Sequence, residues 1–139
     1  MWLKLKEILS DKAYLIALLL PFPIWIYFSD MKGINYLSAN EVLMLVILFP
    51  ITEELFFRGI IQPIIHKKFS KTWHSISAAN VLTSLLFSFS HLFNHNPLWA
   101  LSTFLPSMIF GWSKDRHSTL LAPLMLHCYY NAGWFYLAN

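Results

Sequence analysis

Five long apolar segments make up most of this chain, and they restrict its fold more than any other feature. They lie at about 13–29, 41–65, 74–94, 97–112 and 118–138. Each is long enough, or nearly so, to cross the roughly 30 Å hydrocarbon core of a bilayer as a helix. Only 12% of the residues are charged, against about 25% in soluble domains, so these helices lack the polar faces of a water-soluble bundle. The sequence predicts an all-α, polytopic membrane helical bundle with about five transmembrane helices.

The distribution of basic residues predicts an orientation in the membrane. With the N-terminus inside, the cytoplasmic segments hold eight Lys and Arg residues and the opposite side holds only Lys32, as the positive-inside rule requires. We expect an integral membrane protein, in a prokaryotic plasma membrane, with a cytoplasmic N-terminus and an extracytoplasmic C-terminus. No repeat or linker divides residues 1–139, which predicts a single domain with its motif-bearing core at about 41–138. The basic residues are spread out, so no nucleic-acid partner is expected.

Three ionisable side chains interrupt the second apolar segment, within ITEELFFRGI at 51–60. Charged groups at bilayer depth are costly and mark candidate functional sites. Glu54 and Arg58 are four residues apart, on one helix face, whereas Glu53 points about 140° away from Arg58. We therefore predict that Glu54 pairs with Arg58, while Glu53 is the carboxylate that does chemistry, as a general base. The structural alternative is a buried ion-pair cluster that only holds helices together.

A polar stripe on the third apolar segment leads to a histidine. Asn80, Ser84, Ser88, His91 and His95 recur at three- and four-residue steps, which places them on one helix face. His91 ends the part of the stripe that is within the helix and is predicted to be functional. His95 is expected near the membrane surface, where a solvated loop histidine is the favoured interpretation.

The last apolar segment carries His127 and Asn131, again four residues apart and on one face. Asn is a neutral donor and acceptor, suited to orienting a histidine or to donating to an oxyanion. The alternative is interhelical hydrogen bonding that serves packing only. Three such clusters on one small chain favour a single site between helices 2, 3 and 5.

The residue types allow two kinds of chemistry at this site. In one, Glu53 activates water while His and Asn side chains stabilise the tetrahedral oxyanion, and no cofactor is needed. In the other, Glu53, His91 and His127 bind a divalent metal such as zinc, which carries the hydroxide. Cys128 lies about 100° around the helix from His127, so a Cys–His nucleophile is not expected.

EELFFR (53–58), FSFSH (87–91) and HCYYN (127–131) resemble the three motifs EExxxR, FxxxH and HxxxN of a family of intramembrane glutamic endopeptidases. This is the CAAX prenyl protease and bacteriocin-processing (CPBP) family, also called abortive-infection proteins. FRGIIQP and GWSKDRHSTLLAPLMLH also resemble the family pattern, and the match covers roughly residues 45–135.

The resemblance implies a role for each motif residue. Glu53 and His91 would activate the attacking water, His127 and Asn131 would hold the oxyanion, and Glu54 with Arg58 would support the site. Family members were long described as metalloproteases, and the glutamate-type mechanism is now preferred. The chain has fewer helices than most members, which leaves its substrate undefined. The implied partners are the lipid bilayer and a membrane-anchored protein with a prenyl-like group or C-terminal signal.

Two other functions remain as alternatives to an endopeptidase. One is a non-catalytic immunity or scaffold protein that retains the protease fold. The other is an ion or proton carrier that uses the buried Glu and His residues, although five spans without a visible inverted repeat argue against it.

Overall fold

The computed structural model describes residues 2–34 and 36–138, and most of them are helical. The all-α prediction is confirmed, with one very short hairpin as an addition. The α-helices are α1 (Trp2–Ser10), α2 (Lys12–Leu19), α3 (Phe22–Lys32), α4 (Ala39–Glu41), α5 (Phe49–Phe56), α6 (Gln62–Lys68), α7 (Ala78–His91), α8 (Pro97–Ser102), α9 (Phe104–His117) and α10 (Leu121–Gly133). Three π-helical stretches, Val42–Leu48, Phe57–Ile61 and Trp134–Ala138, continue α4, α5 and α10, and the two strands are β1 (Thr72–Trp73) and β2 (Ile76–Ser77).

Each of the five apolar segments contains helix, but their lengths differ. Among the described residues, Lys12–Met31 is the stretch long and apolar enough to cross a membrane by length and composition. Within this stretch α2 gives way to α3 at Leu20–Pro21. The helices α7 and α9 have 14 residues each, or about 21 Å of length, which is shorter than the hydrocarbon core. The polytopic arrangement therefore stays a prediction.

The chain divides into two compact units, and the single domain predicted for residues 1–139 is not tested by this division. The first unit comprises Met1–Ile51 and Leu124–Asn139. Trp25 belongs to the core of this unit: it is only 4% exposed and packs on Gly133, where an added Cβ would overlap the indole ring. Tyr129 makes an edge contact with the same indole, at 5.2 Å between ring centroids.

The second unit comprises Thr52–Pro123 and is built around α7. This helix begins after Ser77, whose hydroxyl accepts a hydrogen bond from the Asn80 backbone N–H at 3.0 Å, a standard N-cap. The hairpin of β1 and β2 spans 72–77 and overlaps the start of the third predicted segment. Asp115 on α9 contacts both the hairpin and α6: its carboxylate accepts from the Ser77 hydroxyl at 2.7 Å and from Gln62 Nε2 at 2.8 Å.

Hydrogen bonds that repeat every four residues join the helical stretch 58–62 to α9. Arg58 Nη2 donates to the Ser107 carbonyl at 2.8 Å, and Gln62 Nε2 donates to the Gly111 carbonyl at 3.2 Å. Both donors and both acceptors are four residues apart, so one face of 58–62 follows one face of α9 in the same direction. Gly111 allows this approach, because an added Cβ would overlap Asn80 Oδ1 and lie 3.0 Å from Gln62 Oε1.

Candidate active site

A carboxylate and an imidazole face each other in the second unit. Glu53 lies on α5 and His91 is the last residue of α7. Glu53 Oε1 and His91 Nε2 are 3.9 Å apart, and the side chains are 30% and 15% exposed respectively. This separation is too long for a direct hydrogen bond. A water molecule about 2.8 Å from both atoms would form an angle of about 90° with them, so one water can bridge the pair.

The contact made by Nδ1 of His91 indicates which ring nitrogen carries the hydrogen. His91 Nδ1 lies 2.8 Å from the Phe87 carbonyl oxygen. A carbonyl can only accept, so Nδ1 carries the hydrogen. In the neutral ring Nε2 then presents its lone pair towards Glu53. A bridging water would donate one hydrogen to each partner and direct a lone pair outwards, which is the arrangement a nucleophilic water needs.

Three aromatic side chains surround the His91 ring. Its centroid lies 4.5 Å from that of Phe87, 5.8 Å from that of Trp99 and 6.0 Å from that of His95. His95 is exposed, as expected for a loop histidine, and its ring also packs at a tilt against Trp99, at 4.1 Å between centroids. The His91 ring is thereby held in one orientation by its neighbours.

The predicted ion pair of Glu54 and Arg58 is formed. Arg58 Nη1 lies 3.2 Å from Glu54 Oε1, and the two residues are 0% and 1% exposed. Three phenylalanine rings surround the guanidinium, with the centroid of Phe87 nearest at 4.9 Å and those of Phe110 and Phe57 at 5.7 and 6.0 Å. Such cation–π contacts compensate part of the lost hydration of a buried arginine. Arg58 lies in the π-helical stretch Phe57–Ile61, and π-helical turns occur frequently at functional sites.

Sequence reasoning missed Ser107, the residue that holds Arg58 from a third helix. Arg58 Nη2 donates both to the Ser107 carbonyl at 2.8 Å and to its hydroxyl oxygen at 2.6 Å. Ser107 is fully buried. Nothing about a single serine in an apolar segment distinguishes it from a packing residue. The signal that could have drawn attention to this helix is Gly111, a glycine inside a helix, four residues further on.

The polar side chains of the stripe on α7 do not all have the same role. Asn80 Nδ2 donates to the Met108 carbonyl at 2.9 Å, and the Ser88 hydroxyl donates to the Ala100 carbonyl at 2.8 Å. The Ser84 hydroxyl donates to Asn80 Oδ1 at 3.2 Å. These side chains join α7 to α8 and α9, and the end of the stripe at His91 is the part that faces Glu53.

The third motif lies on α10, in the first unit. His127 is 4% exposed. Asn131 Nδ2 donates to the Leu45 carbonyl in the π-helical stretch Val42–Leu48 at 2.8 Å. One N–H of this amide therefore serves packing within its own unit, and an amide nitrogen has a second N–H. The predicted meeting of helices 2, 3 and 5 involves both units and stays a prediction.

The alternative metal site was expected to use Glu53, His91 and His127. Within residues 52–123, all of which the structure describes, no group of three or more His, Cys, Asp or Glu side chains is arranged to hold a metal ion. Glu53 and His91 could supply two ligands from this unit, with a neutral Nε2 that suits coordination.

The sequence model of one protein family matches residues 36–133, and its description is type II CAAX prenyl endopeptidase, Rce1-like. The match includes all three motifs and confirms the family resemblance drawn from them. No curated protein and no solved structure matches the chain.

Proposed function

Because the chain belongs to the Rce1-like family of type II CAAX prenyl endopeptidases, we propose that it is an intramembrane endopeptidase of the glutamic type. In this proposal Glu53 and His91 activate the water that attacks the peptide bond. The family is an integral membrane family of proteases that act on prenylated or membrane-associated proteins. The observation that carries the mechanism is the 3.9 Å separation of Glu53 Oε1 and His91 Nε2.

The proposed reaction begins with a water bound between these two atoms. Glu53 takes one proton as the water oxygen attacks the carbonyl carbon, and His91 Nε2 accepts the other hydrogen bond and keeps the water oriented. The carbonyl oxygen becomes an oxyanion. Glu53 then passes its proton to the amide nitrogen, the C–N bond breaks, and a new carboxyl group and amine are released. The hydrogen bond from His91 Nδ1 to Phe87 supports this order of events, because it keeps Nε2 as an acceptor.

The other motif residues have supporting roles in the proposal. His127 and Asn131 donate to the oxyanion, a role that rests on the HCYYN motif. Glu54 and Arg58 are positioning residues, since their ion pair is sealed from solvent. The substrate is a membrane-anchored protein with a prenyl or C-terminal signal, and the active site faces it within the bilayer.

We also propose that the reaction needs no cofactor. A carboxylate and a neutral imidazole on either side of a water are sufficient for general-base catalysis. We further infer that the chain is polytopic in a prokaryotic plasma membrane with a cytoplasmic N-terminus, on the basis of the asymmetry of its basic residues.

The test is cleavage by the purified full chain in lipid nanodiscs. The probe is a quenched fluorescent peptide that ends in a prenylated CAAX sequence. We expect the parent to cleave it and Glu53→Gln to lower kcat/KM by about a thousandfold, within the range for removal of a general base. His91→Gln should lose activity to a similar degree.

Glu7→Gln and His66→Gln are the matched controls, because Glu7 is an exposed carboxylate and His66 an exposed imidazole, and both lie outside the three motifs. They should retain parental kcat/KM within about twofold. Equal rates of cleavage by Glu53→Gln and the parent would exclude the proposed mechanism. Retention of the cellular function by Glu53→Gln would instead favour a non-catalytic immunity or scaffold protein.

A further inference from the structure

We propose that Ser107 is a positioning residue for the Glu53–His91 pair and acts through Arg58. No motif includes Ser107, and the resemblance assigns it no role. It lies on α9, whereas the two proposed catalytic side chains lie on α5 and α7. The inference rests on the proposed function for its kinetic readout, but its spectroscopic readout does not.

The first step is the fixation of Arg58 by Ser107. One guanidinium nitrogen, Nη2, makes two short hydrogen bonds to a single residue, at 2.6 Å to the hydroxyl oxygen and at 2.8 Å to the carbonyl oxygen. Both residues are fully buried. Since a guanidinium is planar, fixing Nη2 on one side also fixes the plane in which Nη1 meets Glu54.

The second step is the contact of Arg58 with a neighbour of each half of the proposed catalytic pair, namely Glu54 and Phe87. Through Nη1 it holds Glu54, the residue next to Glu53 on α5, at 3.2 Å. Through its guanidinium face it packs on the Phe87 ring at 4.9 Å. Phe87 is also the residue whose carbonyl and ring hold the two sides of His91, at 2.8 Å from Nδ1 and 4.5 Å between rings.

Ser107 on α9 therefore determines the relative position of α5 and α7 at the point where Glu53 and His91 face each other. A bridging water tolerates little change in the 3.9 Å separation, because both of its hydrogen bonds must stay near 2.8 Å. Loss of the Ser107 hydroxyl removes the shorter of the two Nη2 contacts and lets the guanidinium tilt. The Phe87 ring, and with it the His91 imidazole, then gains alternative orientations.

The kinetic experiment compares Ser107→Ala with Ser113→Ala. Ser113 is an equally buried serine on the same helix, and its hydroxyl donates to the Phe110 carbonyl at 2.8 Å within that helix. We expect Ser107→Ala to lower kcat about tenfold with KM within about twofold, a loss of alignment rather than of binding. Ser113→Ala should keep parental kcat. In a double-mutant cycle with Arg58→Lys, the two losses should not multiply, because Ser107 acts through the guanidinium.

The second readout is the nitrogen NMR spectrum of the histidine rings in the full chain. The His91 signals are identified by their disappearance in His91→Gln. The parent and Ser113→Ala should show His91 with the proton on Nδ1, whereas Ser107→Ala should show a mixture of the two tautomers. Parental His91 signals in Ser107→Ala would overturn the inference, as would multiplicative losses in the double-mutant cycle. A parent without peptidase activity would refute the proposed function and leave this spectroscopic comparison intact.

Discussion

Glu53 and Glu54 are adjacent in sequence, but the structure gives them opposite environments. Glu54 is 1% exposed and lies 3.2 Å from a guanidinium that is itself fully buried. Glu53 is 30% exposed, and its Oε1 lies 3.9 Å from His91 Nε2. On a helix, neighbours point about 100° apart, so one turn can bury one carboxylate and leave the next partly exposed.

In the proposed mechanism, the buried ion pair of Glu54 and Arg58 supports catalysis without taking part in it. A sealed ion pair is costly to bury but costlier to break, since removal of one partner leaves an uncompensated charge. The sealed pair thus resists displacement, and the backbone that it holds also carries Glu53. If the two environments differ as described, Glu54 should contribute mainly to stability and Glu53 mainly to activity.

The largest expected effect on stability is that of Glu54→Gln. This substitution leaves the Arg58 guanidinium buried without its carboxylate and should lower the free energy of unfolding by about 3 kcal/mol. Glu53→Gln, at a partly exposed position, should lower it by less than about 1 kcal/mol. Denaturant unfolding of the full chain in micelles, followed by tryptophan fluorescence, measures both. Equal losses for the two variants would mean that the two environments do not differ as described.

A smaller effect is expected from Gly111→Ala, which disturbs the packing of α9 against the helical stretch that carries Arg58. The added Cβ would overlap Asn80 Oδ1, and overpacking of this kind should cost about 2 kcal/mol of the free energy of unfolding. Gly59→Ala is the matched control, because a Cβ there would meet Leu120 at an ordinary 3.4 Å. The same unfolding experiment should show a change of less than about 1 kcal/mol for this control. If Gly59→Ala were the more damaging variant, the close approach at Gly111 would not be a determinant of stability.

The smallest effect is expected from metal removal, which tests whether the partly exposed Glu53 acts without a metal ion. After dialysis against a chelator, the parent should cleave the prenylated probe at a rate within about twofold of the untreated protein, because general-base catalysis by Glu53 needs no ion. The readout is kcat/KM before and after dialysis, with re-addition of zinc as the control. Loss of activity that zinc restores would favour the metal alternative with Glu53 and His91 as ligands.

Much of the helical structure and part of the site follow from local sequence. The apolar segments predict where helices lie, and the four-residue spacing of Glu54 and Arg58 predicts their ion pair, because both patterns depend on the helical repeat alone. The polar stripe predicts only that His91 is functional, and its partnership with Glu53 is what the family resemblance implies. In the structure these two side chains do face each other.

The contacts that the sequence could not predict are those between distant helices. Ser107 is 49 positions from Arg58, and no periodicity connects them. Asn80 and Ser88 belong to the same polar stripe as His91, but they donate to backbone carbonyls of α9 and α8. A hydroxyl or amide on an apolar helix can bond to a neighbouring helix as readily as to a substrate. The hairpin at 72–77 also lacks a strong local signal, because each strand has only two residues.

The shared register of residues 58–62 and α9 also determines where the chain can change length. One residue inserted between Ser107 and Gly111 would rotate the rest of α9 by about 100°, so Ser107 and Gly111 could no longer both accept from Arg58 and Gln62. An insertion in the segments that precede α7 or α8 would leave both bonds in phase, since loops absorb added residues at small cost. Natural and engineered variants of this chain should therefore differ in length between the helices, while the distance from Ser107 to Gly111 stays at four residues.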